Sequence, residues 1–223
     1  MTFRVKIISP LEATEADLAR RQQRYSQHAG AETRLVVENL RGGPAALNTS
    51  GDVLASAASI YQQGQSTKTD EYDAILIDCV FDPAVEELRE ATNIPTFGPT
   101  RVTLSLITLV ASNFSIIART NRQCELLAET VSGYGYSRHI CSLRALEISY
   151  EEAKQLEIFN RVMLEKLKEA IIGDGAQAIM FGSTTMALTG EMRAISQGMP
   201  LFMPGMVALK VMEQLWFGGL WPG

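Results

Sequence analysis

The chain has 223 residues, 46% of them hydrophobic, and a formal charge of −5. That is enough apolar material for one large domain or two small ones, and an acidic balance with no basic run excludes a nucleic-acid surface. Three cysteines without a C-x-x-C pair and only two histidines leave no spacing that suits a zinc site.

In chain order, Phe3–Ile8 reads as a first strand. The N-terminal MTFRVKIISP lacks the apolar region and cleavage site of a signal peptide, and no run reaches the ~20 apolar residues of a membrane helix, so a cytoplasmic protein with no membrane partner is expected. Thr14–Ala29 is a helix with Thr14 as N-cap and Gly30 as its stop. Arg34–Val37 is strand-like, and Asp52–Gln63 is a helix closed by Gly64. Ala74–Ile77 is a continuous apolar strand of the kind found inside parallel sheets. Asp82 and Pro83 then read as the N-cap and first residue of a helix to Thr92. Pro95–Phe97 is a short strand.

The cycle repeats. A helix near Arg101–Val110 leads to strand Phe114–Ile117 and helix Asn121–Ser132. Ser137–Leu143 is a strand, and Tyr150–Ile172 one long helix. Strand Ala178–Phe181, helix Met186–Ser196, strand Pro200–Phe202 and an apolar helix Met206–Phe217 complete the chain. The alternation predicts an α/β fold with parallel sheets. There is no P-loop and no G-x-G-x-x-G after a strand; Gly133-Tyr-Gly135 is a lone GxG at a helix end. No cofactor is expected.

The halves echo each other. DAILIDCV at Asp73–Val80 and QAIMFGST at Gln177–Thr184 superpose on a shift of 104 residues, which lays Cys79 on Ser183. In the same register Glu87-Leu-Arg89 falls on Glu191-Met-Arg193, and Pro95 within one residue of Pro200. Val5-Lys-Ile-Ile-Ser9 resembles Phe114-Ser-Ile-Ile-Ala118. Two pseudo-symmetric lobes follow, residues 1–98 with 205–223 and residues 99–204, with the active site expected in the cleft between them, at the carboxyl ends of the strands. A cysteine at a strand end just before a helix is placed to be acidic. Two such groups facing one carbon perform two-base racemisation without metal or cofactor.

On these residues the chain resembles the aspartate/glutamate racemase superfamily, most closely its hydantoin racemase branch. The resemblance is carried by DAILIDCVFDPAVEELREATNIPTFG, FSIIARTNRQCELLAETVSGYG, and GAQAIMFGSTTMA followed by GMPLFMPGM. It implies catalytic groups at Cys79 and Ser183. It also implies substrate binding by Ser9, Pro10, Val80, Arg119, Thr120, Thr184 and Thr185, a small substrate with a carboxylate or imide group, and a homo-oligomer. Three departures stand out. Ile8-Ser-Pro-Leu11 replaces the usual I-N-P-N. Ala118 and Arg119 replace two threonines, and an arginine there suits a bidentate carboxylate contact. Ser183 replaces the second cysteine. Ser183 then serves as a weak second acid/base, leaves Cys79 to work alone as in the superfamily's decarboxylases, or is an introduced replacement; a lapsed enzyme that only binds is a further reading. Ser183, Thr184 and Thr185 form a hydroxyl-rich turn expected at the start of the Met186 helix, serving either as an anion site or as a plain cap. Cys124 and Cys141 are expected to be structural, and His28 and His139 to have no catalytic role. The apolar tail Leu215–Trp221 covers a core edge or builds the subunit contact.

Overall fold

The computed structural model describes residues 1–220, so Trp221 of the apolar tail lies outside the described residues. The chain forms two compact units, Met1–Val102 with the segment from Gly205, and Thr103–Pro204. In the first, β1 (Phe3–Ile8), β2 (Thr33–Glu38), β3 (Ala74–Ile77) and β4 (Thr96–Phe97) form a parallel sheet in the order β2-β1-β3-β4. In the second, β5 (Phe114–Ala118), β6 (Ile140–Ala145), β7 (Ile179–Phe181) and β8 (Leu201–Phe202) repeat that order as β6-β5-β7-β8. Every residue of β3, β5 and β7 is buried, which is why β3 and β7 read as unbroken apolar runs and β5 is interrupted only by Ser115.

The repeat in sequence is a repeat in backbone bonds. The Ile75 N–H donates to the Pro95 carbonyl at 3.0 Å, and the Ile179 N–H to the Pro200 carbonyl at 3.0 Å. Just past each strand end, the Asp78 N–H reaches the Ile8 carbonyl at 2.9 Å and the Gly182 N–H reaches the Ile117 carbonyl at 2.8 Å.

The helices are α1 (Glu15–His28), α2 (Ser50–Gly64), α3 (Val85–Ala91), α4 (Pro99–Val110), α5 (Asn121–Gly133), α6 (Tyr150–Lys154), α7 (Leu156–Lys168), α8 (Gly190–Ser196) and α9 (Pro204–Phe217). Thr14 caps α1 as expected, its hydroxyl oxygen accepting the Asp17 N–H. The first core joins Phe3, Ile7, Tyr25, Ile60, Ile75 and Leu88, all fully buried. The second gathers Ile117, Phe159, Met163, Leu167, Phe181 and Met192. The C-terminal helix belongs to the first unit: Trp216 stacks on Phe3 with ring centroids 5.1 Å apart. The buried Glu213 carboxylate accepts the Gly30 N–H at 2.6 Å, the Thr33 hydroxyl at 2.7 Å and the Lys210 ammonium at 2.8 Å. Among the described residues no helix is long and apolar enough to cross a membrane.

Several boundaries differ from the sequence reading, each for a local reason. Gly64 is the last residue of α2 and adopts no left-handed cap; a Cβ there would lie 2.7 Å from Leu88 Cδ2, so it is needed for the close approach of α3. Asp82 and Pro83 do not start α3. Asp82 and Ala84 both take left-handed backbone, Ala84 is the N-cap, and the Asp82 carboxylate caps α4 instead. Ser137–His139 is a 3-10 turn preceding β6 at Ile140. The single helix expected over Tyr150–Ile172 breaks at the extended Gln155 and ends in a π-helical turn, Glu169–Gly173. α8 starts at Gly190 under a Thr189 cap, because Met186 is drawn into the core with the loop around it.

Candidate active site

Both predicted catalytic residues sit one residue past the strand-end bonds that the units share. In the first unit the chain turns sharply after β3. The Cys79 N–H donates to the Ile77 carbonyl at 2.8 Å, and the Asp82 N–H to the Cys79 carbonyl at 3.1 Å. The Cys79 sulfur accepts the Phe81 N–H, two residues on. In the second unit the Ser183 hydroxyl oxygen accepts the Thr185 N–H at 3.2 Å, again two residues on, and shares a hydrogen bond with the Thr185 hydroxyl at 2.9 Å. Thiol and hydroxyl thus occupy the same turn in each repeat.

The thiol is not the acidic one expected. Burial pushes its pKa up, the Phe81 N–H acts in the opposite direction, and the Asp82 and Asp78 carboxylates push further up against a smaller effect from Arg21. The helix invoked to lower it begins only at Val85, so its N-terminal N–H groups do not serve the sulfur. Cys79 therefore rests as a neutral thiol.

Beneath it lies a charged network that sequence reading did not find. Asp78, its side chain fully buried, pairs with Arg21 and accepts the Tyr25 hydroxyl at 2.7 Å. Burial raises the Tyr25 pKa well above the ordinary phenol value, with Asp78 adding to it. The available signal was an acid closing an apolar strand, with Arg21 and Tyr25 one helical turn apart on α1.

Several of the predicted binding residues are engaged within the fold. The Ser9 hydroxyl donates to the Leu11 carbonyl at 3.0 Å, the Pro10 carbonyl accepts the Ser56 hydroxyl at 2.5 Å, and the Val80 carbonyl accepts the Thr100 hydroxyl at 2.6 Å. Thr120 is the N-cap of α5, its oxygen accepting the Gln123 N–H. In the second unit Gly182 lets β7 run against β5, since a Cβ there would lie 2.8 Å from the Ala118 Cβ. Arg119 and Ser183 are the next residues along those two strand ends, and Arg119 is half-buried. Thr184 is buried and Thr185 exposed, in a turn that lies five residues ahead of α8 and so does not cap it. Cys124 is buried in α5; Cys141 is exposed on β6.

Comparison with known proteins places this arrangement. The chain is 24% identical over 216 residues to a hydantoin racemase of Pseudomonas sp. (strain NS671), covering 96% of this chain and 86% of that protein. The allantoin racemase from Klebsiella pneumoniae shares the fold with a TM-score of 0.83 at 21% identity, covering 98% of this chain and 89% of that one. The allantoin racemase from Pseudomonas fluorescens does so with a TM-score of 0.85 at 18% identity, covering 97% and 92%. A family model described as Asp/Glu/Hydantoin racemase matches residues 5–212, nearly the whole chain, and the protein belongs to that family of racemases and isomerases.

Proposed function

We propose that the protein is a cofactor-independent racemase or isomerase that moves a proton at a carbon next to a carbonyl, on a small hydantoin, amino acid or related acid. The observation that carries this reading is the paired turn, with Cys79 and Ser183 in equivalent positions of two repeated strand ends. Cys79 is the acid/base. Its S–H proton passes to an enolate carbon, a C–H bond forms, and the thiolate left behind keeps the Phe81 N–H. The reverse step returns the proton to sulfur. Ser183 supplies the second hydroxyl, with Thr184 and Thr185 beside it as donors to an enolate or carboxylate oxygen. Arg119 and Thr120 bind the substrate's anionic end, Arg119 by the forked contact a guanidinium makes with a carboxylate. Ser9, Pro10 and Val80 shape the thiol's surroundings.

Ser183 also favours a second reading. A hydroxyl is too weak an acid and base to match a thiol, whereas loss of carbon dioxide from a malonate generates an enediolate with no base at all. Cys79, already protonated, then only has to donate. Proton NMR with polarimetry in heavy water separates the two readings, using single enantiomers of hydantoins, allantoin and α-amino acids and a disubstituted malonate. Deuterium at the α-carbon with loss of rotation is the racemase outcome. Carbon dioxide release, or exchange without inversion, leaves Cys79 acting alone and sinks the racemase reading.

A further inference from the structure

The turn that carries Cys79 is tied to another helix at several points. Asp82, 7% exposed and at φ 49°, is the hub. Its N–H closes the turn on the Cys79 carbonyl. Its carboxylate accepts the Thr100 N–H at 3.0 Å and the Arg101 N–H at 2.8 Å, both in the first turn of α4. The Thr100 side chain completes the tie by donating to the Val80 carbonyl. Gly98 makes room: a Cβ there would lie 2.5 Å from the Asp82 Oδ2. A sequence that needed only a tight turn would not need a glycine cleared for a carboxylate sixteen residues earlier in the chain, nor a left-handed aspartate to fill it. α4 gains a cap, and the thiol gains a fixed negative charge three residues away.

We propose that Asp82 is a positioning residue for Cys79: by capping α4 it locks the turn that aims the thiol and holds a carboxylate beside it. The proposal rests on the reading of Cys79 as the proton-transferring group. The other charged groups facing the sulfur are Asp78 on its own turn and Arg21 on α1; Tyr25 and Arg24 act on Asp78. Of these charged groups, the Asp82 carboxylate bears most strongly on the sulfur, ahead of Asp78 and Arg21. The helix N-terminus softens that charge without cancelling it.

The test reads the thiol and not turnover, so it stands whether or not the racemase reading does. Alkylation of Cys79 by iodoacetamide is followed against pH, with the modified peptide assigned by mass spectrometry. In the unaltered protein the midpoint lies well above that of an ordinary thiol, about 8.5; a midpoint at or below that value overturns the proposal with no variant needed. Asp82→Asn lowers the midpoint by about one pH unit, which is about tenfold faster alkylation at a fixed pH below it. Asp82→Ser, which keeps a capping oxygen without charge, does the same if the asparagine variant does not fold. Thr100→Val loosens the same turn without changing charge and leaves the midpoint within a few tenths of a unit. An unmoved midpoint in a folded Asp82 variant, or an equal shift in Thr100→Val, overturns the proposal.

Discussion

At the scale of single residues, the proposed chemistry rests on a sulfur and an oxygen held alike. On that proposal Cys79→Ser removes the proton-transferring atom with little change in shape, and α-proton exchange falls by about 10²–10⁴, the range of a general acid/base. Ser183→Cys places a thiol in the second turn, where the Thr185 N–H is already aimed at the side-chain oxygen. Inversion of an enantiopure hydantoin rises by about 10², read by polarimetry; no gain would detach Ser183 from the reaction. Asp78→Asn leaves the Arg21 cation buried without its partner and costs about 3–5 kcal/mol in urea unfolding. The two strand-end residues were legible because a register of 104 residues aligns them. The state of the thiol was not. It depends on burial and on carboxylates whose direction the sequence leaves open, and the helix expected to acidify it starts six residues beyond the cysteine, two later than expected.

At the scale of elements, the strands were legible and some helix starts were not. Short strand-length segments rich in β-branched and aromatic residues have few ways to be buried, so β1, β3 and β5 fall within a residue of their sequence reading. Helix starts depend on which helix a polar side chain turns toward. Asp82 has the sequence position of an α3 cap and the geometry of an α4 cap, because two left-handed residues turn its carboxylate away. Likewise Gly64 looks like a stop and serves as a clearance. Gly182 is likewise a clearance, and Gly182→Ala forces β7 away from Ala118 and Leu127. The variant loses about 1–3 kcal/mol, measured by chemical denaturation, the cost of overpacking a close contact.

At the scale of the whole molecule, the C-terminal helix is held to the first unit by one buried acid and one aromatic stack. Burial pushes the Glu213 pKa up, but the Gly30 N–H, the Lys210 ammonium and the Thr33 hydroxyl outweigh it and leave it below the ordinary value of 4.5. A lowered carboxylate pKa means the native state holds fewer protons. Its stabilisation is complete above pH 4.5 and is lost as the pH falls through the lower folded value. Glu213→Gln therefore destabilises the protein near neutrality by about 1–3 kcal/mol and flattens the acid limb of the stability curve. Hydrogen exchange in β1 and β2 quickens in this variant, while that in β5 and β6 stays at its original rate; equal quickening in both sheets would mean that the helix does not belong to the first unit alone.

That return of the helix sets an order of events during synthesis. A ribosome adding about 5–20 residues per second releases every strand of the first sheet before any of the second. Yet the first unit waits for the segment beyond Gly205, whereas the second is complete once Pro204 has emerged. The half that is made first is finished last. Until then its nascent sheet lacks the Trp216 ring that covers Phe3 and the Glu213 carboxylate that accepts the Gly30 N–H.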